Sequence, residues 1–599
     1  MSGRGGEGRV RGSGRRALPE PLAGALKTCR RHLLIAAGFS ALVNILYLAP
    51  TLYMLQIYDR VLPTGGLLSL AFLTVAVVFA LATLALLDSL RQRILVRLGL
   101  RLDRQLAPEV LTRLTGGLGP DSGPRLRQAM REFDAFRNVV SGPAATAMLD
   151  APWTPIYLAL CFILHPLLGV ISVIGAGILL ILAILNEQAT RTKLEALNQA
   201  SAEAYATQEA IASQGGLVKA LGMREPLIVR QLLDRRAAVG LQADAQFTGG
   251  VYTGLIRFLR LTLQSLALGT GAWLAVRHEI SAGGVIAASI LLSRSLAPVE
   301  QIVGAWKSVI QARDGLRTLV DLFERSPAAP VRTRLPEPKG RLRAEQAGVR
   351  AADGAGMILR GVSFDLNPGE IIGVVGPSGA GKTTLARVLV GALTPDQGCV
   401  RIDGADLSDW QSERLAAHIG YLPQNCGLFA GTVKENIARF ASITESDPRE
   451  IDERAVAAAT AAGAHEMILR LPQAYDTPLG PGGAGVSAGQ AQRLALARAL
   501  YGGPQVFVLD EPNSNLDFEG ETALEHAIAA QKARGAALVV IAHRLNILGV
   551  ADKLLVLREG AMDLYGPRRE VLQALEARVA GLPRPANAPP DLRVTGGAP

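Results

Sequence analysis

Long runs without formal charge constrain this chain most. Residues 32–58 and 66–87 contain no Asp, Glu, Lys or Arg, which gives uninterrupted runs of 27 and 22 residues. A helix rises 1.5 Å per residue, so 22 residues span about 33 Å, enough for a hydrocarbon core of about 30 Å. A short polar turn at 59–65 separates the runs. Together they predict a transmembrane hairpin rather than two soluble buried helices.

A third uncharged run, 151–186, has 36 residues and is too long for one span. We therefore expect two helices that meet at His165-Pro166, with His165 as a loop residue rather than a ligand. A weaker pair of apolar stretches follows, near 255–276 and 283–303. The six predicted spans are about 32–58, 66–87, 144–164, 167–186, 255–276 and 283–303, within a membrane region 32–323.

The distribution of arginine predicts the orientation of these spans. Ten arginines lie between residues 88 and 150, whereas the expected outer turns contain only Arg60 and Arg277. Basic loops stay in the cytoplasm, so the N-terminus and the segments 88–143 and 188–250 are expected inside. These inner segments are interpreted as helices that continue beyond the bilayer. Hydrophobic residues make up 49% of the chain and charged residues 19%, which argues against a soluble or disordered protein.

Both ends of the chain have biased composition. Residues 1–31 carry eight basic and two acidic side chains and many glycines. They are interpreted as a disordered cytoplasmic leader attracted to anionic lipid, in preference to nucleic acid. No small-residue cleavage site follows closely, which argues against a removed signal peptide. Residues 576–599 are rich in proline and are expected to be a disordered tail.

Three arginines lie inside or beside the last two predicted spans. Arg257 and Arg260 share one helical face, and Arg294 lies near mid-span. Ionisable groups at membrane depth are costly and usually face an aqueous cavity, so we interpret the three as a polar wall of a translocation path. The alternative for Arg257 and Arg260 is that they extend to the inner membrane surface.

The chain changes character after the membrane region. Residues 324–345 combine prolines and charges, typical of a linker, and 346–575 alternate apolar runs with helical stretches. An apolar strand at 371–375 leads into a G-x-x-x-x-G-K-T motif and a helix, the context of a P-loop. Its backbone amides and Lys382 would bind phosphates, and the Thr383 hydroxyl would bind Mg²⁺. The predicted phosphate-binding residues are Gly376, Pro377, Ser378, Gly379, Ala380, Gly381, Lys382, Thr383 and Thr384.

A second apolar strand, 506–509, ends in Asp510 and Glu511. With a P-loop present, Asp510 is placed to hold Mg²⁺ and Glu511 to polarise an attacking water. The alternative, a strand followed by two solvated acids, is less consistent with the P-loop. The cysteines Cys29, Cys161, Cys399 and Cys426 contain no CxxC pair, which argues against a zinc site or a disulfide framework.

The segment 486–490, Val-Ser-Ala-Gly-Gln, begins 24 residues before Asp510. This layout resembles that of ATP-binding-cassette (ABC) ATPases, whose signature is LSGGQ. The resemblance implies that Ser487, Gly489 and Gln490 contact nucleotide. It also implies that Gln424 is the Q-loop glutamine, a contact of both water and Mg²⁺, that Asp517 belongs to the D-loop, and that His543 is the switch histidine. The implied fold is an all-α membrane domain of six helices, of the ABC exporter type, plus a cytoplasmic α/β P-loop nucleotide-binding domain.

Two positions depart from the family pattern. Residues 349–357 contain no aromatic ring to stack on adenine, so looser nucleotide selectivity is expected. Ala488 replaces a signature glycine near the γ-phosphate, and its methyl group is expected to alter affinity without abolishing function.

One P-loop and one signature in the chain imply half of a transporter. In ABC proteins ATP lies between the P-loop of one domain and the signature of another. The resemblance therefore implies a homodimer with two composite sites for ATP and Mg²⁺, or a heterodimer with a similar chain. Hydrolysis in such a dimer drives switching between inward-open and outward-open states.

Segments 52–61, 150–157, 296–301 and 509–517 resemble type I secretion exporters of the PrtD kind. This resemblance implies export of unfolded proteins with a C-terminal signal across the inner membrane. It also implies a periplasmic membrane-fusion adaptor and a TolC-like outer-membrane channel as partners, with the nucleotide-binding domain in the cytoplasm and no nucleic-acid partner. The alternatives are a lipid flippase or multidrug exporter, and a regulatory ATP-binding membrane protein without transport.

Overall fold

The computed structural model describes residues 18–116, 126, 128–326, 332, 334–351, 356–444, 447–542 and 547–579. The chain divides into two units, Met1–Ala328 and Ala329–Pro599. The division falls inside the predicted linker 324–345. Each unit is described by itself below.

The described part of the first unit is helical. Its α-helices are α1 Glu20–Leu46, α2 Ala49–Gln56, α3 Leu62–Thr64, α4 Leu67–Thr115, α5 Ala129–Ser141, α6 Pro143–Asp150, α7 Thr154–Leu164, α8 Pro166–Ser213, α9 Gly215–Ala220, α10 Arg224–Val276, α11 Ala282–Gly304 and α12 Trp306–Arg325. A π-turn at Ile57–Val61 joins α2 to α3, and a 3₁₀ turn at Ala151–Trp153 joins α6 to α7.

Among the described residues, five helices are long and apolar enough to cross a membrane: Glu20–Thr64, Leu67–Thr115, Pro143–Leu164, Pro166–Ser213 and Ala282–Gly304. The predicted break at His165 is present, since His165 adopts an extended conformation and caps α8. The predicted span 255–276 is the end of α10, which is long enough to cross a membrane but is not among these five helices. The count of six spans stays a prediction.

The outer end of the first hairpin differs from the expected turn at 59–65. The chain stays helical through the π-turn and α3 to Thr64, and Gly65 reverses it in the left-handed conformation. The extra residue of the π-turn helps to aim Asp59 at the start of α11. There its carboxylate accepts hydrogen bonds from the Ser281 hydroxyl and from the Gly283 amide, the latter at 2.8 Å.

The expectation of a disordered leader through residue 31 is wrong for its last part. Helix α1 begins at Glu20, and Leu22 and Cys29 are fully buried. They pack with Leu102 of α4 and Leu322 of α12, among other residues, in one apolar cluster. The apolar stripe at 22, 25 and 29 has helical spacing, so burial outweighs the local basic charge. Residues 1–17 lie outside the described residues.

The second unit is built on a ten-stranded sheet. Its strands are β1 Leu342–Arg350, β2 Met357–Leu366, β3 Ile371–Val375, β4 Gln397–Ile402, β5 Ala405–Asp406, β6 Ile419–Leu422, β9 Val506–Asp510, β10 Ala537–Ile541, β11 Lys553–Arg558 and β12 Ala561–Pro567. Their order is β5-β4-β1-β2-β12-β11-β3-β10-β9-β6. The five strands from β11 to β6 are parallel, while β1, β4 and β5 pair antiparallel. β7 Gly431–Thr432 and β8 Pro478–Leu479 form a separate pair.

Helices flank this sheet. They are α13 Lys382–Leu389, α14 Ser412–His418, α15 Val433–Ile437, α16 Pro448–Ala461, α17 His465–Leu469, α18 Ala488–Leu500, α19 Phe518–Ala533 and α20 Arg568–Val579. The parallel strands are buried on both faces: in β9, Phe507 and Leu509 belong to one apolar cluster, while Val506 and Val508 belong to another. Such two-sided burial is typical of parallel strands covered by helices.

The element boundaries refine the predicted domain limits. α12 extends to Arg325 and β1 starts at Leu342, so the described helix and strand take residues from both ends of the predicted linker. The last helix reaches Val579, four residues into the predicted tail, and residues 580–599 lie outside the described residues.

Candidate nucleotide-binding site

The P-loop connects β3 to α13, and its glycines are required by close packing. A Cβ on Gly376 would lie 2.3 Å from the Leu557 carbonyl oxygen. Gly381 has φ +94° and would place a Cβ 2.8 Å from Leu359 Cδ2. A side chain at either position would displace neighbouring strands, so the loop can pass close to them at the N-terminus of α13 only with glycine.

Lys382 holds the loop closed. Its Nζ donates to the carbonyl oxygens of Gly376 at 2.8 Å and Pro377 at 3.0 Å. The side chain is buried, and this burial lowers the pKa of its ammonium group, while Glu511 and Asp510 act in the opposite direction. The ammonium group is therefore fixed above the loop and close to two carboxylates.

Asp510 is the most unusual group in the site. It is fully buried at the end of β9, and within the described part of the chain neither carboxylate oxygen completes a hydrogen bond. Burial raises its pKa, with the Thr383 hydroxyl and Lys382 giving partial compensation. Carboxylate and hydroxyl oxygens are ligands that Mg²⁺ prefers, and a buried carboxylate whose oxygens complete no hydrogen bond favours a cation. Asp510 and Thr383 therefore fit a magnesium ion.

The other predicted groups follow neighbouring parallel strands. Ile541 at the end of β10 pairs with both Asp510 and Val374, and Leu422 at the end of β6 pairs with Leu509. The P-loop, Asp510, Glu511 and Gln424 therefore share the carboxyl edge of the sheet, where α/β proteins bind ligands. His543 follows β10 by two residues but lies outside the described residues.

Glu511 and Gln424 differ in how they are held. Glu511 has φ +51°, rare for a residue with a side chain, and its amide donates to the Ile541 carbonyl at 2.9 Å. Gln424 is exposed. The structure therefore constrains the predicted base more tightly than the predicted Q-loop glutamine.

The signature segment forms the start of α18. Ser487 is its N-cap and forms a reciprocal capping box with Gln490. Ser487 itself is exposed. Gly489 lies against residues 514–517, the predicted D-loop, because a Cβ there would lie 2.9 Å from the Asn515 carbonyl oxygen. The predicted nucleotide contacts Ser487, Gly489 and Gln490 thus lie on a different element from the P-loop.

Asp517 takes a structural position within its own chain. Its carboxylate caps α19 by accepting from the Gly520 amide at 2.9 Å, and it pairs with Arg493 of α18. These contacts lower its pKa, the Gly520 hydrogen bond most. A contact between Asp517 and nucleotide stays a prediction.

Sequence reasoning missed Gln492, which joins these motifs. Gln492 is 1% exposed and contacts both Asn515, in the predicted D-loop segment 514–517, and Cys426. A glutamine on the otherwise apolar buried face of this helix was the available signal.

The membrane arginines have different surroundings. Arg294 of α11 lies over the Tyr47 ring at 3.9 Å, and Arg260 of α10 lies 3.1 Å from the Glu300 carboxylate of α11. Arg257 is exposed. Two of the three thus have partners between helices, and their role in a translocation path stays a prediction.

Comparison with known proteins shows the family of this chain. The ABC transporter family profile matches residues 359–514. The type I secretion system ATP-binding protein PrsD of Rhizobium meliloti (strain 1021) is 40% identical over 93% of this chain and 95% of its own length. The leukotoxin translocation ATP-binding protein LktB of Mannheimia haemolytica is 30% identical over 89% of this chain and 75% of its own length.

A solved structure shows the same fold. A bacterial Atm1-family ABC exporter with ATP bound superposes with a TM-score of 0.77 over 93% of this chain and 99% of its own, at 24% identity. The predicted fold class and the predicted ATP hydrolysis are confirmed by these matches. The chain therefore belongs to the ABC transporter family, as an exporter half-transporter of the type I secretion kind that carries one helical membrane unit and one ATP-hydrolysing domain.

Proposed function

We propose that this chain exports proteins across the inner membrane in a type I secretion system, driven by ATP hydrolysis. The observation that carries the ATP-driven part is the buried Asp510 carboxylate beside Lys382 at the end of the P-loop. The similarity to PrsD and LktB, which extends over both units, supports protein as the cargo.

Each site residue has a separate role in the proposed hydrolysis. The P-loop amides and Lys382 bind the β- and γ-phosphates. Thr383, Asp510 and Gln424 would hold Mg²⁺, which would neutralise developing negative charge on the phosphate oxygens. Glu511 accepts a proton from water as that water's oxygen bonds to the γ-phosphorus and the bond to ADP breaks. His543, which follows the neighbouring strand, stabilises the γ-phosphate.

The chain works as a homodimer in this proposal. A single chain carries one P-loop and one signature, on different elements. Ser487, Gly489, Gln490 and Asp517 of one protomer complete the site of its partner. Two ATP molecules then close the domains, and hydrolysis resets them.

The membrane unit supplies the path. Arg294, Arg260 and Arg257 line it and favour a polar cargo over a lipid. A periplasmic adaptor and a TolC-like channel receive the cargo, as the type I secretion resemblance implies. Membrane lipid surrounds the helices, and no nucleic acid takes part.

The test combines hydrolysis with secretion. Glu511→Gln keeps the shape of the side chain but removes the base, so we expect ATP turnover in lipid nanodiscs to fall by about 100-fold or more. In the source organism, Lys382→Ala and Glu511→Gln are expected to remove one or a few proteins from the culture medium, measured by mass spectrometry. The parent chain re-expressed at the same level is the control.

An unchanged medium in the presence of the expressed variants would contradict protein secretion. Lipid distribution between leaflets and drug efflux would then be measured, since a flippase or multidrug exporter uses the same ATPase. Hydrolysis at the parental rate in Glu511→Gln would contradict the assigned base.

A further inference from the structure

Gln492 lies in the second turn of α18, four residues after the start of the helix. It is 1% exposed and is surrounded on this helix by the buried apolar residues Leu494, Ala495 and Leu496. A buried amide that is not hydrogen-bonded destabilises a fold, so its partners show what the side chain does.

The amide nitrogen of Gln492 holds the backbone that follows Asp510. Its Nε2 donates to the Pro512 carbonyl at 2.8 Å and to the Glu511 carbonyl at 3.2 Å. Glu511 has the positive φ described above, a conformation that persists only where surrounding contacts maintain it. The two hydrogen bonds orient the peptide planes on the C-terminal side of Glu511.

The amide oxygen of Gln492 accepts hydrogen bonds from two other segments. Asn515 Nδ2 lies at 3.0 Å and Ser514 Oγ at 3.2 Å, both in the D-loop. Cys426 Sγ, two residues after Gln424, lies at 3.7 Å. Burial raises the pKa of the Cys426 thiol, so it stays protonated at neutral pH and acts as a weak donor.

One side chain thus touches three segments that the proposed reaction uses. From this geometry we propose that Gln492 is a positioning residue for ATP hydrolysis: it holds the backbone of Glu511 and couples it to the D-loop and to the Q-loop. The proposal rests on the role of Glu511 as base given above. Gln492 acts through Glu511 and contacts no reacting atom.

The first test replaces Gln492 with an apolar side chain of similar length in the full-length protein in nanodiscs. Gln492→Met removes both sets of hydrogen bonds but leaves the P-loop intact. We expect kcat for ATP to fall by about 10- to 100-fold, since small misplacement of a catalytic group has effects of this size. KM for ATP and the affinity for a fluorescent ATP analogue should stay within about twofold of the parent.

The matched control is Gln531→Met. Gln531 is also buried, at 8% exposure on α19, and its Oε1 has no hydrogen-bond partner among the described residues. The same chemical change there should leave both kcat and KM at parental values. A fall in kcat of equal size in both variants would contradict the positioning role and indicate a general effect of losing a buried amide.

Asn515→Ala provides a variant that is not expected to affect folding, because Asn515 is exposed. It removes one donor to Gln492 and should lower kcat by about 2- to 10-fold, the factor that one hydrogen bond accounts for. In the double variant the two effects should not add, since both act through one contact. Full additivity, or parental kcat in both single variants, would overturn the proposal.

Glu511→Gln is measured beside them to separate the two proposals. If Glu511→Gln is inactive and Gln492→Met has parental kcat, the positioning role fails while the base assignment stands. If Glu511→Gln hydrolyses ATP at the parental rate, the base assignment fails, and the positioning role fails with it.

Discussion

The Asp510 carboxylate, a predicted ligand of Mg²⁺, lowers the stability of the protein without nucleotide. It is fully buried and its pKa is raised by burial, so the folded state disfavours its ionised form. Lys382 beside it shows the complementary effect, a pKa lowered by burial. Both side chains are therefore held in a geometry that a phosphate and a cation would stabilise, at a free-energy cost when these are absent.

Because burying the ionised Asp510 carboxylate costs free energy, a substitution that removes its charge should stabilise the fold. Above the folded-state pKa, ionised Asp510 destabilises the fold; below the unfolded pKa, near the ordinary value of 3.8, both states are protonated and the effect vanishes. Asp510→Asn should therefore stabilise the apo protein at pH 8 by about 1–2 kcal/mol, or roughly 2–8 °C in Tm. This gain in stability should shrink toward pH 4. The variant should also lose Mg²⁺-dependent hydrolysis. Scanning fluorimetry without nucleotide measures the gain in stability, and an equal gain at both pH values would count against this account.

At the scale of elements, a buried polar cluster joins four helices of the membrane unit. Arg91 of α4 pairs with Asp150 of α6 at 2.7 Å, and Asn44 of α1 donates to the same carboxylate at 2.8 Å. The Tyr157 hydroxyl of α7 donates to the Asn44 carbonyl at 2.8 Å. Since these hydrogen bonds run between helices, the cluster fixes how the four helices sit against one another, although Arg91 Nε has no hydrogen-bond partner among the described residues.

This cluster predicts how the stabilities of single and double variants differ. Arg91→Met leaves the Asp150 carboxylate buried beside an apolar side chain and should destabilise the membrane unit by about 3–5 kcal/mol. The double variant Arg91→Met with Asp150→Asn removes the charge as well and should recover a large part of that loss. Thermal unfolding in detergent, followed by tryptophan fluorescence, compares them. A double variant less stable than Arg91→Met would show that the ion pair is not the main interaction.

At the scale of the whole molecule, one P-loop and one signature in each chain predict that hydrolysis requires a dimer. Ser487 is exposed at the N-cap of α18, so a change there reaches a partner without disturbing the core. Ser487→Asp keeps a side chain that caps helices well and places a negative charge where the partner's γ-phosphate would lie. Ser487→Asp should therefore disable the signature side of the proposed site, as a P-loop variant disables the phosphate-binding side.

Complementation tests the composite site. Lys382→Ala and Ser487→Asp chains should each be inactive as homodimers. Co-expressed with different affinity tags and purified through both, they form heterodimers with one intact site and should regain hydrolysis, up to about half of the parental rate if the two sites work independently. Absence of recovery in the doubly tagged fraction would contradict sites shared between chains.

Local pattern was sufficient for the fold class and for most of the candidate site. The P-loop, Asp510 and Glu511 were recognisable because a buried strand, a tight turn and the residues that follow it are neighbours in the sequence. The apolar runs located the membrane helices for the same reason. The predicted turn at 59–65 is helical as far as Thr64 and reverses only at Gly65, because a π-turn leaves no periodic signal. The predicted disordered leader was wrong for residues 20–31, because three apolar residues were outweighed by basic ones.

The order of the elements, the apolar stretches of the membrane region and the phosphate-binding loop could be recognised from the amino-acid sequence alone, since each depends on residues within one or two turns. The contacts between distant groups depend on tertiary packing and could not. Cys426 and Gln492 are 66 residues apart, and Arg91 and Asp150 are 59 apart. Such contacts depend on how helices and strands pack. Packing of this kind leaves the Asp510 carboxylate without a complete hydrogen bond, and it places the Gln492 amide against the backbone of Glu511, the proposed base.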